Sequence, residues 1–173
     1  TPELSFAVRF LKAVGGDVIS ASHNPPWHNG KKVYDQFGGQ LIPPFDEQLV
    51  EEVTQKVTAI KAISIDEARN QGLLEILGEE VDQAYFKTAS EVSLSTARDL
   101  KILLTPLHGC ATTSLLPVLK NLGFDVTLDP ATGNPSGRFE NVTFNIPNPE
   151  VIQSFDKPLE YARTMDADII LSA

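Results

Sequence analysis

Cysteine is nearly absent. The 173-residue chain carries one, Cys110, which excludes an internal disulfide framework and makes a reducing, cytoplasmic compartment the simplest home. A lone free cysteine is most often a small buried residue, and that is the expectation here. Long apolar runs are missing too. None approaches the roughly 20 residues of a membrane-spanning helix, so no membrane partner is expected. No basic start leads into an apolar stretch and a cleavage site, so no secretory leader is expected. Positive charge is scarce: 14 Lys and Arg against 23 Asp and Glu give a formal net charge of −9. Such a surface repels nucleic-acid backbones and anionic membranes. It does not repel every anion, because charge inside a cleft can oppose the net sign. Repeats and low-complexity tracts are also lacking.

What remains is ordinary for a globular chain, 42% hydrophobic and 21% charged, long enough for one sizeable domain or two small ones. TPELSFAVRFLKAV predicts a helix, with Thr1 as cap, Pro2 at the first position, Leu4, Ala7, Val8, Leu11 and Val14 on one face, and Gly15-Gly16 as its end. DVISA (17–21) reads as a strand, 33–37 as another, 37–39 as a turn and 40–42 as a partner strand. PFDEQLVEEVTQKVTAI predicts a helix with Leu49, Val53, Val57 and Ile60 inside. SIDEARNQG starts a short helix, LLEIL (73–77) reads as a strand, and 81–96 as a connecting helix.

A new rhythm begins at Lys101. KILLT is a strand, CATTSLLPVLKNLG a helix kinked at Pro117, FDVTLD a strand, PATGNPSGRFENVTFNIPNPE a long loop, VIQSFDKPLEYARTMD a helix and ADIILSA a strand. That alternation is the grammar of a parallel sheet flanked by helices. The expectation is an α/β protein of two successive α/β units with mixed or parallel sheets, one spanning 1–97 and the other 98–173.

The chemistry concentrates in DVISASHNPPWHNGKKVY. Ser22 follows a strand and precedes His23, Asn24 and two prolines that stiffen the loop. Asn29-Gly30 makes a tight turn, and Lys31 and Lys32 bring positive charge near in sequence. A hydroxyl, a proton-handling ring, an ammonium and exposed backbone N–H groups suit a phosphate site. A solvated polar loop of the same composition is the bland alternative. Trp27 and Tyr34 read as packing residues. His108-Gly109, after a strand, suit an anion or a domain interface, and equally a buried histidine that satisfies its own turn.

The full string resembles the active-serine loop of the α-D-phosphohexomutases, the phosphoglucomutase and phosphomannomutase family. Members carry Thr/Ser-Ala/Gly-Ser-His-Asn-Pro and then Asn-Gly-x-Lys. Here Ser20-Ala21-Ser22-His23-Asn24-Pro25 is followed by Asn29-Gly30-Lys31-Lys32. TPELSFAVRFLKA resembles the family's upstream helix, LLTPLHGCA its second-domain Thr-Pro-Leu-His-Gly turn, and FNIPNPE its Pro-Asn-Pro-Glu loop. Four motifs in the family's order are far more specific than any one of them.

The resemblance implies the latter part of domain 1 and most of domain 2 of a four-domain enzyme, whose other domains are missing partners of the same chain. Ser22 would carry the phosphoryl group that moves between O1 and O6 of a phosphorylated sugar through a bisphosphosugar. His23 would position the loop or move a proton, and Lys32 would stabilise phosphate or transfer a proton. Asn24, Asn29, Gly30 and His108 would support loop and substrate. Mg²⁺ would bind the phosphoserine oxygen and an Asp-x-Asp-x-Asp-Arg loop. No such loop occurs here and it is expected just after Ala173, so the fragment is expected to be inactive and to bind Mg²⁺ weakly. Two rivals stand beside this reading. A hydrolase usually shows Gly-x-Ser-x-Gly, which is lacking at Ser22. A non-catalytic module that binds sugar phosphates fits the same residues.

Overall fold

Pro2 opens the first helix where its missing N–H costs nothing. The computed structural model describes residues 1–173, and α1 (Pro2–Phe10) begins it, Thr1 accepting the Ser5 N–H through its carbonyl at 3.1 Å and not through its side chain. The helix ends before the glycines. Lys12 takes the left-handed turn (φ 54°) and the Ala13 N–H reaches back to the Val8 carbonyl at 2.9 Å. Gly15 and Gly16 instead open β1 (Gly15–Ile19), where a Cβ on either would lie 2.8 Å from the Tyr34 carbonyl or the Val8 side chain. They are glycine for close approach, not for helix termination. β2 (Lys31–Asp35) is the partner of β1, and the expected third strand shrinks to one antiparallel bridge from Tyr34 to Gln40. The Ser5 hydroxyl donates to the Gly38 carbonyl at 2.6 Å and pins α1 to the turn after β2.

Beyond this turn the apolar pattern does not find cover. α2 (Phe45–Glu51) widens into a π turn over Glu52–Lys56, and Val53, Val57 and Ile60 stand exposed, not inside. α3 (Ile65–Asn70) is capped as its sequence asks, the Glu67 N–H donating to Ser64 Oγ at 3.1 Å. LLEIL forms no strand; its residues are exposed and outside any regular element. α4 (Glu79–Ser90) follows, with Val81 and Phe86 buried.

The second half is built around β3 (Lys101–Thr105). Adjacent residues of a strand point to opposite faces, and Leu103 and Leu104 are both 0% exposed, so β3 is covered on both sides. Truncating either to Ala in such a core costs about 2–5 kcal/mol. A 3₁₀ turn (Ala111–Thr113) leads into α5 (Leu115–Asn121), which starts late enough to place Pro117 in its first turn, where no N–H is needed; the expected kink is absent. Gly123, at φ 86°, ends α5 with the Phe124 N–H donating to the Leu119 carbonyl at 3.1 Å. β4 (Asp125–Leu128) pairs parallel with β3, Ile102 opposite Val126. A long loop and a 3₁₀ turn (Ile152–Phe155) lead to α6 (Asp156–Met165) and β5 (Ile169–Ser172), parallel to β3 on its other side, Thr105 opposite Ser172.

The strand order is therefore β4-β3-β5. The chain leaves β3 for β4 on one side and then crosses to β5 on the other. Open α/β sheets bind ligands outside the carboxyl ends of their strands at such a reversal. Arg98 ties the entry to this sheet. Its Nε–H donates to the Leu122 carbonyl at 2.6 Å, and its guanidinium sits 4.5 Å from the Phe124 ring centre. The chain packs as two compact units, Thr1–Val18 with Lys32–Gln83, and Ile19–Lys31 with Ala84–Ala173.

Candidate functional site

The serine loop is held by its own backbone. The Ser20 N–H donates to the Gly30 carbonyl at 3.0 Å and closes the loop's mouth. A Cβ on Gly30 would stand 2.9 Å from the Ser20 carbonyl, so this crossing needs glycine. The Asn24 N–H donates to the Ala21 carbonyl at 3.2 Å and the His28 N–H to the Pro25 carbonyl at 3.0 Å, two turns stiffened by the prolines between them. The Gly30 N–H finds Asn29 Oδ1 at 2.9 Å.

Ser22 sits at the apex with φ 55°. For a serine that left-handed backbone costs on the order of 1 kcal/mol, offset in part by its N–H donating to Ser20 Oγ at 3.0 Å. Its hydroxyl is exposed and stands 3.1 Å from His23 Nδ1. The loop thus presents a solvent-facing oxygen with an imidazole nitrogen beside it. Asn24 and Asn29 are exposed, Lys31 is exposed, and Lys32, second in β2, is half-buried. Tyr34 is buried as expected. Trp27 is not: it is 79% exposed, edge-on to the His28 ring.

A second set of residues lies at the carboxyl end of β3. The Gly109 N–H donates to the Pro106 carbonyl at 2.7 Å, and the two residues between, Leu107 (φ 48°) and His108 (φ 66°), are both left-handed. This is a type I′ turn made without glycine or asparagine at its centre, at a cost of about 1–2 kcal/mol per residue. His108 is buried and locked three ways: its N–H donates to the Thr132 carbonyl at 2.9 Å, its carbonyl accepts from Ser136 N–H at 3.2 Å, and its Nδ1 donates to the Asn134 carbonyl at 2.8 Å. Its Nε2 is buried with no partner.

Below the turn lies a network that the sequence did not announce. The buried Asp129 accepts from the Thr132 hydroxyl at 2.6 Å and the Thr105 hydroxyl at 3.0 Å through Oδ2, and from the Ala131 N–H at 2.9 Å through Oδ1. These donors satisfy buried carboxyl oxygens that would otherwise be costly to leave unpaired. The only hint was an Asp-Pro step directly after a strand. At the rim, the Glu140 carboxyl is held below the usual range by the Ser136 hydroxyl at 2.6 Å and by its own N–H, with small contributions from His108 and Arg138. Cys110, next in the chain, is exposed, contrary to expectation, because the turn ends at Gly109 and carries it outward. In PNPE, Asn148 Oδ1 accepts the Glu150 N–H at 2.9 Å, a turn-shaping contact.

No three acidic, imidazole or thiol side chains of these 173 residues gather as a metal site. The residues present thus do not by themselves fit the magnesium that the resemblance implies.

Comparison with known proteins agrees along the chain. Residues 1–60 match phosphoglucomutase/phosphomannomutase, alpha/beta/alpha domain I, and residues 83–173 match domain II. Phosphoglucomutases of Staphylococcus saprophyticus and Staphylococcus epidermidis are each 35% identical over 99% of this chain, which covers 32% of their length. The chain therefore spans about a third of the relatives it matches. A solved structure from Thermus thermophilus, described as a phosphomannomutase, superposes with a TM-score of 0.68 at 25% identity, over 99% of this chain and 36% of that one. With both domain types matched in order, over a parallel α/β sheet, the chain belongs to the phosphoglucomutase/phosphomannomutase family.

Proposed function

We propose that the protein carrying this chain is a phosphohexomutase that exchanges sugar 1-phosphate and 6-phosphate through a phosphorylated Ser22. The observation that carries this reading is the exposed Ser22 hydroxyl, strained at φ 55° and 3.1 Å from His23 Nδ1. A strained backbone at an exposed nucleophile is where function, not packing, explains the cost.

Each half-reaction is a phosphoryl transfer. The bond from phosphorus to Ser22 Oγ breaks, a bond from phosphorus to a sugar hydroxyl oxygen forms, and the proton lost by that hydroxyl is the one the serine oxygen regains. His23, beside Oγ, holds that proton in passage. The bisphosphosugar then returns its other phosphoryl group by the reverse step. Asn29 and Gly30 keep the loop mouth closed, so Ser22 does not have to be ordered at each turnover. Lys32 offers a cation for the transferring group, and Asn24 braces the turn.

Phosphorylated Ser22 adds about −1.5 to −2 charge and three acceptor oxygens. In the longer protein Mg²⁺ would offset that charge. Along the chain, residues 1–97 would be the sequence counterpart of that enzyme's serine-bearing domain and 98–173 of its second domain, although the serine loop 19–31 packs with Ala84–Ala173; this segment alone is inactive.

The test is Ser22→Ala in the full-length protein. Mutase turnover should fall by at least about a thousandfold, as loss of a covalent nucleophile does, and intact mass of the wild type should show one phosphate that the variant lacks. Full activity in the variant would end the assignment. A stable phosphoserine also separates the mutase from a passive binder of sugar phosphates, which has no use for one.

A further inference from the structure

The His108 turn is not explained by packing alone. A left-handed His108 costs stability, yet one face of its ring does nothing within the chain. Nδ1 is committed to the Asn134 carbonyl, and Nε2 is buried without a partner. Glu140, the carboxylate that feels the ring, spends Oε2 on the Ser136 hydroxyl instead. Buried polar atoms without partners are rare and call for a ligand or a cost. The turn stands at the carboxyl end of β3, beside the end of β5: a Cβ on Gly109 would lie 4.0 Å from the Ala173 carbonyl. That is the reversal point of the sheet, where open α/β folds take their ligands.

The geometry points to His108 as a substrate-positioning residue whose Nε2 takes one hydrogen bond with a hydroxyl of the phosphorylated sugar. This rests on the mutase reading above. A hydroxyl suits the site better than a phosphate oxygen. It donates to Nε2 as a lone pair or accepts from it as an N–H, whereas a phosphate oxygen without a proton only accepts. Nε2 is covered by its own chain. Access therefore requires the chain over Nε2 to shift, and the mostly exposed Asn134–Glu140 segment, bonded to His108 through Asn134 and Ser136, is the part proposed to do so.

Asparagine separates the structural role from the positioning role. His108→Asn puts an amide N–H where Nδ1 stood, so the bond to the Asn134 carbonyl survives. Asparagine also tolerates φ 66° better than histidine. Only Nε2 is lost. The full-length enzyme and its variant are assayed with a hexose 1-phosphate and with analogues deoxygenated one position at a time. Thermal stability of the variant should match or exceed the wild type, and kcat/KM on the parent sugar should fall about tenfold or more. One deoxy analogue, costly to the wild type, should cost the variant nothing further. Equal penalties in both enzymes for every analogue would overturn the assignment while leaving the mutase reading intact. A wild type without mutase turnover removes both. If the variant does not fold, ¹⁵N-histidine spectra of the wild type decide. The His108 Nε2 resonance should move with the parent sugar and not with the analogue lacking that hydroxyl, and an unmoved resonance overturns the assignment.

Discussion

A serine at φ 55° and a glycine with no room for a methyl group solve one problem between them. The loop has to turn Ser22 outward, which strains it, and something has to keep the loop from relaxing. Gly30 does that by letting its chain cross the Ser20 carbonyl closely enough for the 3.0 Å bond between Ser20 N–H and the Gly30 carbonyl. Gly30→Ala places a Cβ 2.9 Å from that carbonyl, and a backbone atom cannot rotate away as a side chain does. The loop mouth should open by a few tenths of an ångström, with a stability loss of about 1–3 kcal/mol. Thermal melts check the stability. In the full-length protein, kcat should fall further than the lost stability explains, because the serine is displaced as well. An alanine variant with unchanged melt and unchanged kcat would show that the crossing does not hold the loop.

At the scale of elements, α1 and α4 meet through a pair of like charges. Glu3 of α1 is pushed above its usual 4.5, first by burial and then by Asp82 of α4, through both its charge and a shared hydrogen bond. A carboxyl whose native pKa is raised binds its proton more tightly folded than unfolded. The stability it contributes is therefore complete below the unfolded value and is lost as pH rises through the native one. At neutral pH the two carboxylates repel. Glu3→Gln should stabilise the fold at pH 7 by on the order of 0.5 kcal/mol once solvent screening is allowed for, seen as a higher melting temperature. The advantage should disappear on acidification, as Glu3 takes up its proton and no longer repels Asp82. An advantage that persists in acid would point to packing instead. The elements themselves were legible to different degrees. KILLT declared its strand because β3, buried on both faces, requires a continuous apolar run; ADIILSA carries a similar run at the sheet's edge, where β5 is only partly covered. LLEIL carries the same signal and forms nothing. An apolar run states what a segment prefers to bury, and no neighbour among these residues meets it. The helix end misleads for a related reason: Gly15-Gly16 looks like a stop, but lysine accepts the left-handed turn and the glycines are needed against Val8 and Tyr34. In the site, residue types and order were readable. The His108 lock and the Thr105 arm of the Asp129 network were not, because they join residues more than 20 positions apart.

Across the whole molecule, order and cover are unevenly distributed. The three-stranded sheet buries Ile102, Leu103, Leu104 and Leu107 nearly completely. Between Glu52 and Gly78, by contrast, nearly every residue is exposed, including Ile60 at 92%, and the stretches 57–64 and 73–78 belong to no regular element. Backbone there is held by few contacts, so it opens at little free-energy cost, while cutting inside the sheet requires global unfolding. Limited trypsin digestion of the 173-residue chain should therefore cleave first at Lys56, Lys61 or Arg69. Lys101, whose N–H donates to Asp168 Oδ2 at 2.8 Å and whose ammonium donates to the Met165 carbonyl at 2.6 Å, should be among the last to be cut. Mass spectrometry of the early fragments reads this directly: an intact C-terminal piece beginning shortly after residue 56, 61 or 69 is the expected product. Early cleavage after Lys101 or Lys120 would mean that the parallel sheet is not the stable part of the chain, and that the turn bearing His108 has no rigid base beneath it.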